Sequence, residues 1–304
     1  MTAKIVVVGS FNADLTSYMA RMPRPGETVP GDRFVTGAGG KGSNQAVAAA
    51  RLGAEVTFIG RVGNDVFANL AYEIWDAEGV NRDFVSRDDE HATGVAPILV
   101  DSSGENMIVV VLGANLRVQP ADIDAARERI AAADVLIAQL EINLDMVAYV
   151  LETAKALGVT TILNPAPAAA IPAQTIQLAD YLTPNETELE TLSGGPSADI
   201  EAAARGLLTR ADQTAVVTLG SRGAQIVTGT ETASVPTYAV DVVDTTGAGD
   251  AFNAGLAVAL AEGLALADAV RFANATAALC VTKPGTARST PYRRDVDAIY
   301  DAAD

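Results

Sequence analysis

The sequence has one cysteine, Cys280, and one histidine, His91, in 304 residues. A disulfide framework, a multi-cysteine zinc site and a His-rich metal centre are therefore excluded. A Ser-His-Asp arrangement would have to use His91 itself, which reads instead as a solvated loop residue beside the acid run Asp88-Asp89-Glu90. Aromatic residues make up only 5% of the chain, and the one tryptophan, Trp75, reads as core. Basic residues are also scarce: 21 Lys and Arg against 38 Asp and Glu give a net charge of −17. A surface this acidic repels a phosphate backbone, so no nucleic-acid partner is expected. No apolar run approaches the ~18 residues of a membrane span; the best candidate, 254–261, stops at Glu262. The apolar stretch 5–8 is too short for the core of a secretion signal. The expectation is a cytoplasmic protein with no membrane partner.

What the chain does have is 49% hydrophobic against 19% charged residues, a globular composition. Apolar runs at 5–8, 56–59, 135–138, 160–163 and 215–219 do not alternate, as befits strands buried on both faces. Helical stretches lie between them at 43–52, 66–78, 121–131, 144–157 and 200–208. This alternation predicts an α/β three-layer sandwich around a central, mostly parallel sheet. Two segments break the rhythm. The stretch 15–36 carries Pro23, Pro25 and Pro30, and 94–115 reads as strands 95–101 and 106–112 around a turn. They are expected to pair into a small β-sheet lid. The predicted division is a body of 1–12, 39–91 and 118–304 and a lid of 13–38 and 92–117.

Several loops carry candidate chemistry. Gly37, Gly39 and Gly42 satisfy G-x-G-x-x-G ahead of a helix, with Glu55 at about the dinucleotide-binding distance. However, a proline-rich excursion precedes them, not a buried strand. The alternative is a glycine turn that lets a polar ligand approach Gly40, Lys41 and Asn44. Asp244-Thr245-Thr246-Gly247-Ala248-Gly249-Asp250 follows a strand-like stretch, 238–243, and opens an apolar helix. The amides of Gly247, Ala248 and Gly249 would form an anion hole, and Asp250 would be an ionised base beside it, unless it merely caps the helix. Asn12 and Asp14, after the first strand, can bond vicinal hydroxyls or form an Asx turn. Asn185 and Glu188, three apart, suit Mg²⁺ through water or a capping box. Thr218-Leu219-Gly220-Ser221-Arg222-Gly223 can cradle a nucleotide or turn a hairpin. Asn164 and Glu141 stand at further strand ends.

Taken in order, these motifs resemble the PfkB family of carbohydrate kinases. Its two signatures are matched by Gly39-Gly40-Lys41-Gly42-Ser43-Asn44-Gln45-Ala46 and by 244–250. The resemblance implies transfer of phosphate from ATP to O5 of D-ribose. Asp250 would be general base, Gly247, Ala248 and Gly249 the anion hole, and Asn12, Asp14, Gly40, Lys41, Asn44 and Glu141 the sugar pocket. Asn185, Thr218, Gly220, Ser221, Gly223, Gly249 and Asn274 would flank ATP, and Asn185 and Glu188 would organise Mg²⁺. A monovalent cation, K⁺, is implied near Asp244, Thr246, Cys280, Lys283, Gly285 and Ser289, largely through main-chain carbonyls. A homodimer through the lid sheet is also implied. Other readings are a kinase for fructose, deoxyribose or adenosine, an NAD-dependent oxidoreductase using Gly37–Gly42, and a non-catalytic sugar-binding protein.

Overall fold

A computed structural model describes residues 2–196 and 198–302. Its strands, in chain order, are β1 (Lys4–Val8), β2 (Asn12–Tyr18), β3 (Arg33–Gly39), β4 (Glu55–Gly63), β5 (Asn81–Asp88), β6 (Gly94–Val100) and β7 (Asn106–Ile108). They continue with β8 (Val135–Ala138), β9 (Thr160–Leu163), β10 (Tyr181–Leu182), β11 (Thr214–Thr218), β12 (Ala224–Val227) and β13 (Thr232–Val235). The main sheet is nine-stranded, ordered β13-β12-β11-β10-β9-β8-β1-β4-β5. Its pairs are parallel except β11–β12 and β12–β13.

The apolar strands predicted to be buried on both faces take the centre of this sheet. In β1, Ile5 and Val7 enter one core with helices Lys41–Arg51, Ala248–Ala261 and Leu266–Cys280. Val6 and Val8 enter the other, with helix Leu144–Ala156. The two-residue period of a strand divides them. The two excursions form a separate four-stranded sheet, ordered β3-β2-β6-β7. There β2 is antiparallel to β3 and parallel to β6, and β7 is antiparallel to β6.

The structure departs from the sequence reading in several places. β7 ends at Ile108 instead of running to 112, and beyond it only a bridge between Val95 and Val111 remains. Opposite this stretch β6 carries Pro97, which has no N–H for the ladder. The helix expected at 121–131 is broken at Ala126 into Pro120–Ala125 and Arg127–Ala131. The stretch 238–243 is no strand: β13 stops before Pro236, and Val242 and Val243 are exposed. β5 went unread because it is a polar, half-buried edge strand. Asp88 ends it and is partly buried. It accepts from Arg61 and from the His91 backbone and ring, so neither Asp88 nor His91 is the freely solvated group expected. The G-x-G-x-x-G segment lies at the end of β3 in the small sheet, which removes the βαβ turn a dinucleotide fingerprint needs. Among the described residues no helix is long and apolar enough to cross a membrane.

Trp75 is fully buried, as expected. Its ring packs 4.6 Å from Phe58 and 5.6 Å edge-on from Phe11, and its Nε1 donates to Ser43 Oγ at 3.0 Å. It therefore pins helix Lys41–Arg51 against the turn after β1. Trp75→Ala is expected to cost about 3–5 kcal/mol, the usual loss for a buried aromatic. Urea unfolding monitored by circular dichroism checks this; a loss under about 1 kcal/mol would refute the pinning role.

Candidate active site

The loops at the carboxyl ends of β1, β8, β9, β10 and β11 converge on the N-termini of helices Lys41–Arg51 and Ala248–Ala261. This is the side on which parallel sheets bind ligands. Gly247 starts the second helix with φ +81°, a conformation that suits glycine. It brings Asp250 into the first turn, where the helix dipole favours a negative charge.

Asp250 is buried. Asn44 Nδ2 donates to its Oδ2 at 2.9 Å and Gln45 Nε2 to its Oδ1 at 3.0 Å. Gln139 Nε2 donates to Gln45 Oε1 at 2.6 Å, which turns the Gln45 amino group toward Asp250. Burial raises the Asp250 pKa above the usual carboxylate value, against the pull of Lys41, Asn44 and Gln45. For Lys41, burial disfavours the ammonium, but Asp250, Glu141 and Glu188 outweigh it and hold its pKa high. Burial likewise raises Glu188.

Glu141 is a second buried hub. Its Oε2 accepts from Ser10 Oγ, from the Lys41 amide at 3.0 Å and from Asn12 Nδ2 at 3.4 Å. Asn115 accepts from the Phe11 N–H and donates to Phe11 O and to Asn12 Oδ1, which orients the Asn12 amide. Asp14 stands next on β2. A Cβ on Gly39 would lie 2.3 and 2.5 Å from its carboxylate oxygens, so only glycine fits beneath it. Burial, reinforced by Glu141 and Asp250 and opposed by a Thr286 hydrogen bond, pushes its pKa up to about 6.

Two cavities meet here. The smaller, about 200 Å³, is lined by Lys41, Gly247, Gly249, Asp250, Asn185 and Glu188, among others. The larger, about 770 Å³, contains every residue expected to flank ATP: Asn185, Thr218, Gly220, Ser221, Gly223, Gly249 and Asn274. Asn185, Thr218 and Gly249 belong to both walls. A Cβ on Gly249 would meet no atom within 4 Å, so it would stand in open cavity.

Some of these residues have their polar groups committed within the protein. The Ala248 N–H donates to Thr245 O at 3.2 Å, unlike the outward amide expected of it. Asn274 Nδ2 donates to Val235 O and Pro236 O, so this side chain braces the cavity wall. Asn185 and Glu188 do form a reciprocal capping box while also lining both or one of the cavities. The 218–223 segment is both a hairpin turn between β11 and β12 and a cavity wall.

The residues implied for a monovalent cation lie together. Asp244 accepts from the Thr246 N–H and the Gly285 N–H, both at 2.9 Å, and despite its burial these bonds hold its pKa below the usual range. Ser289 Oγ lies 2.8 Å from Gly285 O, 2.7 Å from Thr286 O and 3.1 Å from Cys280 Sγ. Lys283 joins through its N–H to Cys280 O. Carbonyls converging on one hydroxyl fit a weakly charged cation. Among the described residues no cluster of His, Cys, Asp or Glu would cage a divalent metal.

Residues 2–293 match the family model described as pfkB family carbohydrate kinase. The chain belongs to the pfkB family. It is 41% identical to mouse (Mus musculus) ribokinase over 97% of this chain and 94% of that protein. It is 38% identical to a deoxyribokinase of Salmonella typhi, covering 94% and 95%. A solved ribokinase of Arabidopsis thaliana, complexed with ribose and ATP, superposes with a TM-score of 0.90 at 35% identity, covering 99% of each chain. This chain's main sheet and the second, small one belong to a fold that also superposes on a solved ribokinase of Thermotoga maritima with a TM-score of 0.91 at 36% identity. No motif marks the side chains of Asn115 and Thr286, and Ser10 lies in the turn after the first strand without a role assigned from the sequence. Gln45 and Asn164 did lie inside quoted motifs, and Gln45 Nε2 also donates to Asn164 Oδ1 at 3.1 Å.

Two predictions follow from this geometry. If Asp14 must be ionised to bind sugar, kcat/KM for the sugar rises as pH increases through about 6 and falls below it, up to tenfold per pH unit. A flat profile between pH 5 and 7 would refute this. Gly249→Ala keeps or raises Tm, because alanine is the better helix former, but weakens nucleotide affinity about tenfold or more. Paired thermal melts and nucleotide titrations check it.

Proposed function

We propose that the chain transfers the γ-phosphoryl group of ATP to O5 of D-ribose. The observation that carries this reading is Asp250: buried in the wall of the smaller cavity, next to Gly249, which borders both cavities, and with amide donors on both oxygens. ATP lies along the larger cavity with its γ-phosphate at Gly249, and the sugar lies against Asn12, Asp14, Gly40, Lys41, Asn44 and Glu141. Asp250 takes the proton of the terminal hydroxyl. The oxygen attacks the γ-phosphorus, the bond to the β,γ-bridging oxygen breaks, and ADP leaves. Lys41 and the Gly247 and Gly249 amides face the charge that develops. Asn185 and Glu188 would hold Mg²⁺ through water, and the metal would supply positive charge against the phosphates. Asp244, Thr246, Cys280, Lys283, Gly285 and Ser289 would hold K⁺, whose charge would steady the anion-hole turn. No step requires histidine or cysteine.

The segments 13–38 and 92–117 act as a lid that excludes water during transfer. Phe34, Met107, Val109 and Val111 on this sheet are exposed, an apolar surface that supports pairing of two lids in a homodimer. A cytoplasmic location is consistent with the need for ATP.

Similarity to both a ribokinase and a deoxyribokinase makes the sugar the point to test. ADP release from MgATP is measured with D-ribose, 2-deoxyribose, fructose and adenosine, in K⁺ and in Na⁺. The expected result is the highest kcat/KM with ribose, stimulated by K⁺. Preference for another acceptor would overturn the sugar assignment. Asp250→Asn is expected to lower kcat by about 10²–10⁴-fold with little change in sugar KM. Retention of full turnover would remove Asp250 as the base.

A further inference from the structure

The loop after helix Leu266–Cys280 reaches beyond the cation positions. Thr286 Oγ1 lies 3.1 Å from Asp14 Oδ2 and 2.9 Å from Ala38 O. Thr286 therefore touches β2 and β3, the two strands at the root of the lid. Its backbone also packs on the anion-hole turn, where a Cβ on Gly247 would stand 3.4 Å from Thr286 Cα. One residue thus meets the lid, an acidic group of the sugar pocket and the turn that starts helix Ala248–Ala261.

Asp14 needs such a partner. Gly39 packs so closely against the carboxylate that the group lies flat on its backbone. That contact limits where the carboxylate sits but supplies no hydrogen bond from a side chain. Glu141 and Asp250 face it with like charge. A donor on Oδ2 holds the carboxylate against that repulsion and aims Oδ1. A hydroxyl is suited to this place, since it can give its proton to Asp14 or to Ala38 O.

We propose that Thr286 is a positioning residue for the sugar: its hydroxyl fixes the rotation of the Asp14 carboxylate and so sets sugar affinity, not the rate of transfer. This rests on the reading of Asp14 as a sugar ligand. A purely structural clip between lid and body would instead alter every kinetic constant together.

The test compares Thr286→Val, which keeps the shape and removes the hydroxyl, with Thr286→Ser, which keeps the hydroxyl. Sugar KM, ATP KM and kcat are measured for each, together with calorimetric binding of the sugar without ATP. In Thr286→Val, sugar KM and Kd are expected to rise about tenfold, the usual effect of losing a hydrogen bond to a charged group. ATP KM and kcat should stay within about threefold, and Thr286→Ser should restore sugar affinity to within about twofold. Thr286→Ala gives the same split should the valine variant fail to fold. Unchanged sugar affinity in the hydroxyl-free variants would overturn the inference, as would parallel loss of all constants or failure of Ser to rescue. A parent protein that binds none of the candidate sugars would overturn the reading of Asp14, and the inference with it. A parent that binds sugar while Thr286→Val matches it would overturn the inference alone.

Discussion

A carboxylate buried at the start of a helix, in the wall of the smaller cavity, is the constraint on which the rest of this structure depends. Asp250 has lost most of its water, and removing an ionised group from water is costly unless donors replace the solvent. Those donors come from Asn44 and Gln45, on a different helix some two hundred residues earlier in the chain. Helix Lys41–Arg51 must therefore be placed closely against helix Ala248–Ala261. Much of the surrounding packing serves that placement. A Cβ on Gly42 would stand 2.6 Å from Ser10 N, so this helix sits directly on the turn after β1. Trp75 holds it there through Ser43. Arg51, at its far end, donates to the carbonyls of Ala287 and Thr290 and ties it to the loop that carries Thr286 and Ser289.

The same economy links the small sheet to the large one. The chain passes between them near Phe11, Gly40, Thr93 and Asn115. Three of these crossings are held by polar side chains: Asn115 bonds the Phe11 backbone, and Asp65 accepts from both the N–H and the hydroxyl of Thr93. Asn12 and Asp14 lie just past one crossing, and Gly39 and Lys41 flank another. Any movement of the small sheet about these crossings would carry part of the sugar pocket with it. That coupling gives a lid a direct means of assembling the site only when substrate is present.

Much of the architecture was legible in the sequence because its central strands carry an unambiguous signal. β1 beyond Lys4 and all of β8 are apolar on both faces, and such runs belong in the middle of a covered parallel sheet. The edge strand β5 carries no such signal, since Asn81, Arg82 and Asp83 satisfy only one buried face. The stretch 238–243 misled for the opposite reason. Its valines look like a strand, but the chain leaves the sheet at Pro236, directly after β13, and 238–243 pairs with no strand among the described residues.

The sequence by itself determined the residue types at the strand ends and their order, including glycines beside a carboxylate at a helix start, where free amides and the helix dipole suit an anion. The resemblance to the pfkB family indicated which residues to expect around the larger cavity, among them Gly249 and Asn274, which lie on helices and not on strand-end loops. Only the tertiary structure decided how the polar groups are spent. Asn274 braces a backbone, the Ala248 amide turns inward, Gln139 orients Gln45, and Thr286 reaches Asp14 across the chain. Apart from the local Ala248–Thr245 turn, such pairings join residues distant in sequence, and an amide or hydroxyl has no local preference for one partner. The packing of the sheets chooses the partner, and with it the electrostatics of the site.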